Sequence, residues 1–269
     1  MTDFAQAYWQ FLSRPPSNLN AGIESLPTLL QDSIGWTVAF CIAFEVVKWF
    51  LKTASKEWTD TLSEEKKFEW PSFAVCLLHH LRVVPLACLW IYQDLQLNND
   101  GALAADYTMK EGQIASFCIG YLVADTIYFT FWEVIKGSFA MFIHHALILY
   151  LVLSTLFGAG SLCRFIPHLL ICDATGIPFN LAFLLRTMGM RDSILVKIME
   201  ISFVGLFLIF RVVNMPMMFY AMFQHPHNET LGYARYVIPP ICILQWFWFM
   251  KILMFMFKIE KKPKADKEK

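Results

Sequence analysis

Seven apolar runs, at residues 33–51, 72–92, 113–132, 139–157, 162–185, 198–223 and 236–257, constrain this chain more than any other feature. Each is close to the roughly 20 residues that an α-helix needs to cross a hydrocarbon core about 30 Å thick. Backbone N–H and C=O groups find no partners in hydrocarbon, so each run must satisfy them internally, as a helix does. The chain is 57% hydrophobic and 16% charged, where a soluble domain carries about 25% charged residues. The expected fold class is therefore an all-α membrane protein, with about seven transmembrane helices packed as a bundle. The formal net charge is zero, which gives no sign of a nucleic-acid partner.

Basic residues orient such a bundle, because Lys and Arg collect on the cytosolic side. Residues 52–71 carry four Lys, 133–138 one, 186–197 three Lys or Arg, and the 258–269 tail six. The alternate segments (the N-terminal tail and residues 93–112, 158–161 and 224–235) carry three in total. The alternation holds with seven spans and predicts an N-terminus outside or in the lumen and a C-terminus in the cytosol. The glycosylation sequon at Asn228 falls in an expected lumenal loop. Residues 1–32 begin without a basic region ahead of an apolar one, so no cleaved signal peptide is expected. Phe4, Tyr8, Phe11 and Leu12 share one helical face there, which suits an interfacial helix stopped by Pro15-Pro16. The domain plan is residues 1–32 interfacial, 33–64 first span and cytosolic loop, 65–257 a six-helix core, and 258–269 a basic tail.

Polar side chains inside membrane spans are costly and point to function. Here they are His79, His80 and Arg82 in the second run, Asp125 in the third, and His144 and His145 in the fourth. Asp173 and Asn180 follow in the fifth, and Arg211 and Asn214 in the sixth. His168 and Glu45 are more isolated. Counted from the basic ends of their spans at about 1.5 Å per residue, the main set lies roughly 8–20 Å deep. Shared depth across five spans predicts one polar chamber, reached from the cytosol or the inner leaflet. Neighbouring helical residues point about 100° apart. Of His144 and His145, one is thus expected to line the chamber and the other to pack against a helix, and likewise for His79 and His80. Helical metal pairs prefer i, i+3 or i, i+4 spacing, so no metal is expected. The seven cysteines lie in or beside the apolar runs without a CxxC or CxxH set, and are read as small packing residues.

Four stretches in order resemble the TLC-domain membrane proteins, the family of the ceramide synthases. They are GYLVADTIY at 120–128, FAMFIHHALILY at 139–150, CDATGIPFN at 172–180 and FRVVNMP at 210–216. The resemblance implies a TLC-type bundle, an endoplasmic reticulum membrane (plasma membrane or Golgi as alternatives) and a role in sphingolipid or fatty-acyl metabolism. In the enzymatic members a paired His and an acidic pair serve fatty-acyl transfer from CoA to a long-chain amine. Carried over, His144, His145 and Asp173 are the catalytic candidates. Substrate-binding candidates are His79, His80, Asp125, Asn180, Arg211 and Asn214. Two positions depart from the synthases: Gly176 stands where the second acid would be, and Cys172 where they have His. Asp173, Thr175 and Asn180 fit the segment of the smaller, non-ceramide-synthase members.

The functional expectation is a membrane protein of lipid homeostasis that binds or processes a lipid or fatty-acyl group in an intramembrane chamber. The alternatives are a non-catalytic regulator, sensor or transfer protein and a ceramide-synthase-like N-acyltransferase. A transporter ranks last, since no inverted repeat is visible. No tightly bound cofactor is expected, with acyl-CoA as co-substrate if the chain transfers acyl groups. Membrane lipids are the expected partners, and a homodimer is compatible with the sequence.

Overall fold

The structure is a computed structural model that describes residues 26–54, 56–99, 109–135, 139–157, 165–224, 229 and 232–256. The expected interfacial helix, Asn228 and the basic tail lie outside the described residues.

Among the described residues the chain is all-helical. In order these are α1 (Leu26–Thr53), the short α2 (Lys56–Asp60), α3 (Glu64–Asn99), α4 (Met109–Asp125), α5 (Phe131–Ile135), α6 (Ala140–Phe157), α7 (Phe165–Leu170), α8 (Gly176–Thr187), α9 (Ile194–Leu206), α10 (Met215–Gln224) and α11 (Ala234–Met256). A π-helical segment, Thr126–Thr130, joins α4 to α5. A 3₁₀ segment, Ile171–Thr175, joins α7 to α8, and a second π segment, Phe207–Asn214, joins α9 to α10. Counted through these joints, seven long helical rods result, one for each apolar run.

Four of the rods, over Pro27–Thr53, Glu64–Gln93, Phe165–Thr187 and Ala234–Met256, are long and apolar enough by themselves to cross a membrane. The described apolar part of α6, Ala140–Ser154, is shorter. Large apolar side chains face outward: Ile34, Val38, Ile42, Val46 and Trp49 form one exposed stripe on α1. In water such a surface would be penalised, whereas in lipid it faces its own kind. The chain is a multi-pass membrane protein.

The first rod starts at Leu26, so part of the 1–32 segment belongs to it. The second spans 36 residues, about 54 Å at helical rise, and overshoots the expected run at both ends. Its first turn carries Glu64 and Glu65, with Lys67 bonded to Glu64 at 2.8 Å. Pro71 and Pro85 lie inside it; each removes one backbone donor.

α1 packs most heavily on α4. Gly120 explains how close they come, because a Cβ there would approach Trp36 Cβ to 2.5 Å. Trp36 and Phe40 close over Phe117 at ring distances of 4.8 and 5.0 Å. Arg82 lies 4.5 Å from the Trp36 ring and 4.6 Å from Phe117, a cation–π pairing that satisfies it on the outside of this core. Glu45 is also outward, paired to Lys48 at 3.1 Å. A second core joins α6, α7, α10 and α11 through Leu151, Phe165, Met218, Met222 and Ile241. Between the two cores lies the polar chamber.

Candidate functional site

A cavity of about 540 Å³ runs between α3, α4, α6, the α7–α8 rod, the α9–α10 rod and α11. That volume falls within the range of small-molecule sites. Its wall includes His79, His80, Asp125, His144, His145, Asp173, Asn180 and Arg211. One cavity therefore gathers every catalytic and substrate-binding candidate except Asn214, which is half-buried and off the cavity wall. His168 is buried on α7 but is not part of the wall. Between the polar groups the wall is apolar, with Phe73, Phe179, Phe203 and Phe207 among its residues. Glu69, Phe129, Met141 and Lys251 also line it, and all four lie near rod ends that adjoin the basic segments. A second concavity, about 460 Å³, lies on the outer face of α1 and carries none of the candidates.

The first polar cluster centres on His145. Its Nδ1 lies 3.7 Å from Asp125 Oδ2, 3.2 Å from Thr130 Oγ1 and 3.4 Å from Thr126 Oγ1. Thr130 also donates to Asp125 Oδ2 at 3.2 Å, and Ser72 donates to Oδ1 at 2.8 Å. Both Thr residues sit in the Thr126–Thr130 π segment. A π turn shifts the helical register, and such turns often occur at functional sites. Here it brings two hydroxyls, four residues apart, onto one imidazole.

His144 differs from its neighbour. It faces Trp248 at a ring distance of 5.1 Å, and its buried Nδ1 has no hydrogen-bond partner among the described residues. Both histidines line the cavity, as do both His79 and His80. The expected division into one lining and one packing residue is thereby corrected. The cavity spans several rods and is wide enough to meet two adjacent helical faces.

The second cluster is built on the α7–α8 rod. Arg211 Nε donates to Thr175 Oγ1 at 2.9 Å and to the Cys172 carbonyl at 3.3 Å. Its Nη1 donates to Gln245 Oε1 at 3.3 Å, and its Nη2 lies 3.7 Å from Asp173 Oδ1. The 3₁₀ segment thus presents Cys172, Asp173 and Thr175 to one guanidinium. Asp173 pairs with Arg211, while the acid next to the paired histidines is Asp125.

The third cluster is His79 with His80. Asn180 Nδ2 donates to His80 Nδ1 at 3.2 Å, and Cys76 Sγ lies 3.7 Å from both ring nitrogens. His79 stacks on Tyr121 at 4.1 Å and on Phe117 at 5.5 Å. Donor atoms of His79, His80 and Asp173 all lie within 4.8 Å of one another. Gly176 completes this arrangement, because a Cβ on it would clash with the His80 ring. Where the resemblance expects a second acid, His80 occupies the space.

Sequence reasoning passed over Ser72, Thr126, Thr130 and Gln245. Gln245 is fully buried on α11, and a glutamine inside the run ILQWFW was a readable signal. Hydroxyl residues give no such signal, because Ser and Thr are common in any membrane helix.

No curated protein matches the chain. The family model for the TLC domain matches residues 37–254. The match takes in most of α1, which the sequence reading set apart from a core at 65–257, and the packing of α1 on α4 agrees with its inclusion. Helices, chamber and ordered motifs thus meet in one assignment: this chain belongs to the TLC-domain family of membrane proteins.

Proposed function

We propose that this protein acts in membrane lipid homeostasis by holding a lipid or fatty-acyl group in the chamber, polar end against the buried clusters and chain along the Phe-rich wall. One observation carries this reading: a single cavity is lined both by the three polar clusters and by an apolar set that includes Phe73, Phe179, Phe203 and Phe207. An amphiphile matches both parts of that surface. The lipid is of sphingolipid or phospholipid type, and the membrane is that of the endoplasmic reticulum, with the N-terminus lumenal and the C-terminus cytosolic. Position of Glu69, Phe129, Met141 and Lys251 near basic-flanked rod ends supports entry from the cytosolic side.

A second reading, acyl transfer from acyl-CoA, rests on the Asp125–His145 pair. Asp125 and the two Thr hydroxyls meet His145 at Nδ1, which keeps Nε2 for a ligand. In this reading His145 takes the proton of an acceptor amine or hydroxyl as that atom attacks the thioester carbonyl. The new N–C or O–C bond forms, the C–S bond breaks, and the CoA thiolate takes up a proton. Gly176 in place of a second acid favours the binding reading over ceramide synthesis.

The test is mass spectrometry of wild type and His144→Ala/His145→Ala after incubation with palmitoyl-CoA and sphinganine. A new N-acyl product made only by wild type establishes transfer. A lipid copurified with wild type, without product, establishes binding, and its loss from the double variant places the two histidines at the binding site. A wild-type protein that carries no lipid and makes no product would sink both readings.

A further inference from the structure

We propose that His79, His80 and Asp173 form a subsite for a single lipid hydroxyl, and that Gly176 makes room for it. The inference rests on the reading of the chamber as a lipid site and names the polar atom that the deep cluster recognises.

The cluster is incomplete by itself. His79 is 3% exposed, yet neither of its ring nitrogens has a hydrogen-bond partner among the described residues. A buried polar group left unsatisfied is costly. Its rings of contact, Tyr121 and Phe117, satisfy its faces and not its edge. Polar atoms of His80 and Asp173 lie close to it, the three ligand atoms being within 4.8 Å of one another.

The three atoms lie no farther than 4.8 Å from one another, so one central atom can come within hydrogen-bond reach of all three. Proton bookkeeping selects among central groups. His80 Nδ1 accepts from Asn180 Nδ2, so the ring's proton belongs on Nε2 and neither nitrogen keeps a lone pair for a metal. Asp173 only accepts, whereas His80 offers a donor. A central group must therefore both donate and accept, as a hydroxyl does. An ammonium cannot accept, and Arg211 already stands 3.7 Å from Asp173.

Gly176 is the permissive element. The three atoms nearest to a Cβ built on it all belong to the His80 ring. Any larger residue displaces His80 and opens the triangle.

The test uses the full-length protein in nanodiscs and two lipid pairs, each differing by one hydroxyl: 1,2-dioleoylglycerol against its 3-deoxy analogue, and sphinganine against 1-deoxysphinganine. The pairs separate a glycerolipid source from a long-chain-base source. Wild type should bind the hydroxylated member of one pair about tenfold or more tightly, as sites built around a hydroxyl do. His79→Phe keeps the stacked ring and should bring that ratio close to one by weakening the hydroxylated member. Gly176→Ala should do the same. A preference that survives in His79→Phe, or equal binding of both members of both pairs by wild type, would overturn the subsite alone. Binding of none of the four would overturn the lipid reading and the subsite together. Stoichiometric zinc or iron in wild type that is lost in His79→Phe would overturn it by making the cluster a metal centre.

Discussion

Thr130 Oγ1 bridges Asp125 and His145, lying 3.2 Å from the carboxylate and 3.2 Å from the imidazole. The acid and the base themselves stand 3.7 Å apart, so the hydroxyl links them more closely than they meet directly. All three residues are buried. Thr130→Val keeps the shape and removes the bridge, leaving buried polar atoms short of a partner. It should cost about 1–3 kcal/mol, read as a lower thermal midpoint of the purified protein in detergent. Thr130→Ser should recover most of that loss. An unchanged midpoint in Thr130→Val would show that the bridge is not made.

Much of this arrangement could be read in the letters, and the reasons are physical. Hydrocarbon forces helices, so the seven rods followed from hydropathy alone. It also penalises unpaired polar groups, so the shared depth of His80, Asp125, His145 and Arg211 announced a chamber. The pairing did not follow. Either Asp173 or Asp125 could orient the paired histidines by sequence; Asp125 meets His145, while Asp173 meets Arg211. Two π segments and one 3₁₀ segment change the register at Thr126, Phe207 and Ile171. Such shifts alter which residues face inward without leaving a mark in composition. The same effect leaves Asn214, at the end of the second π segment, off the cavity wall.

Gly120 should tolerate nothing larger. A Cβ there meets Trp36 Cβ at 2.5 Å and the Thr37 backbone nitrogen at 2.8 Å. Backbone cannot yield as a flexible side chain can, so α1 would be levered from α4. Gly120→Val should destabilise by about 1–3 kcal/mol, as overpacking does. Gly205, with nothing near its Cβ position, should accept Ala without loss. Equal thermal midpoints for the Gly120 and Gly205 variants would contradict this packing.

Arg211 and Asp173 should be coupled. The guanidinium joins the 3₁₀ segment to Gln245 on α11. Arg211→Met strands Asp173 and Thr175, and should cost about 1–3 kcal/mol through the hydrogen-bonding groups it leaves unmatched. Asp173→Asn should cost less, because the remaining acceptors still hold the guanidinium. The double variant should lose less than the two singles combined. Thermal midpoints of the four proteins close the cycle, and strict additivity would mean that the 3.7 Å pair carries no energy.

Topology makes a separate prediction. Fourteen Lys and Arg residues fall in the segments assigned to the cytosol and three in the others. A reporter fused after Lys269 should therefore respond as cytosolic, and a tag before Met1 should be protected in sealed microsomes. Protection of the C-terminal reporter would invert the bundle, and with it the side from which the chamber is entered.

The adjacent histidines should part company on substitution. His145 is tied to Asp125, Thr126 and Thr130, so His145→Gln should lower stability by about 1–3 kcal/mol through the acceptors and donors it leaves unmatched. His144 has a buried Nδ1 with no partner among the described residues, and its ring packs at 5.1 Å from that of Trp248. His144→Gln should leave the thermal midpoint within about 0.5 kcal/mol of wild type, as substitutions outside such networks do. Its effect should appear in the chamber's function, as loss of copurified lipid or of acyl product measured by mass spectrometry. A stable His144→Gln protein that still carries its lipid at wild-type stoichiometry and forms product at the wild-type rate would remove His144 from the site and leave His145, paired to Asp125 of α4, as the one polar residue of α6 on the described cavity wall.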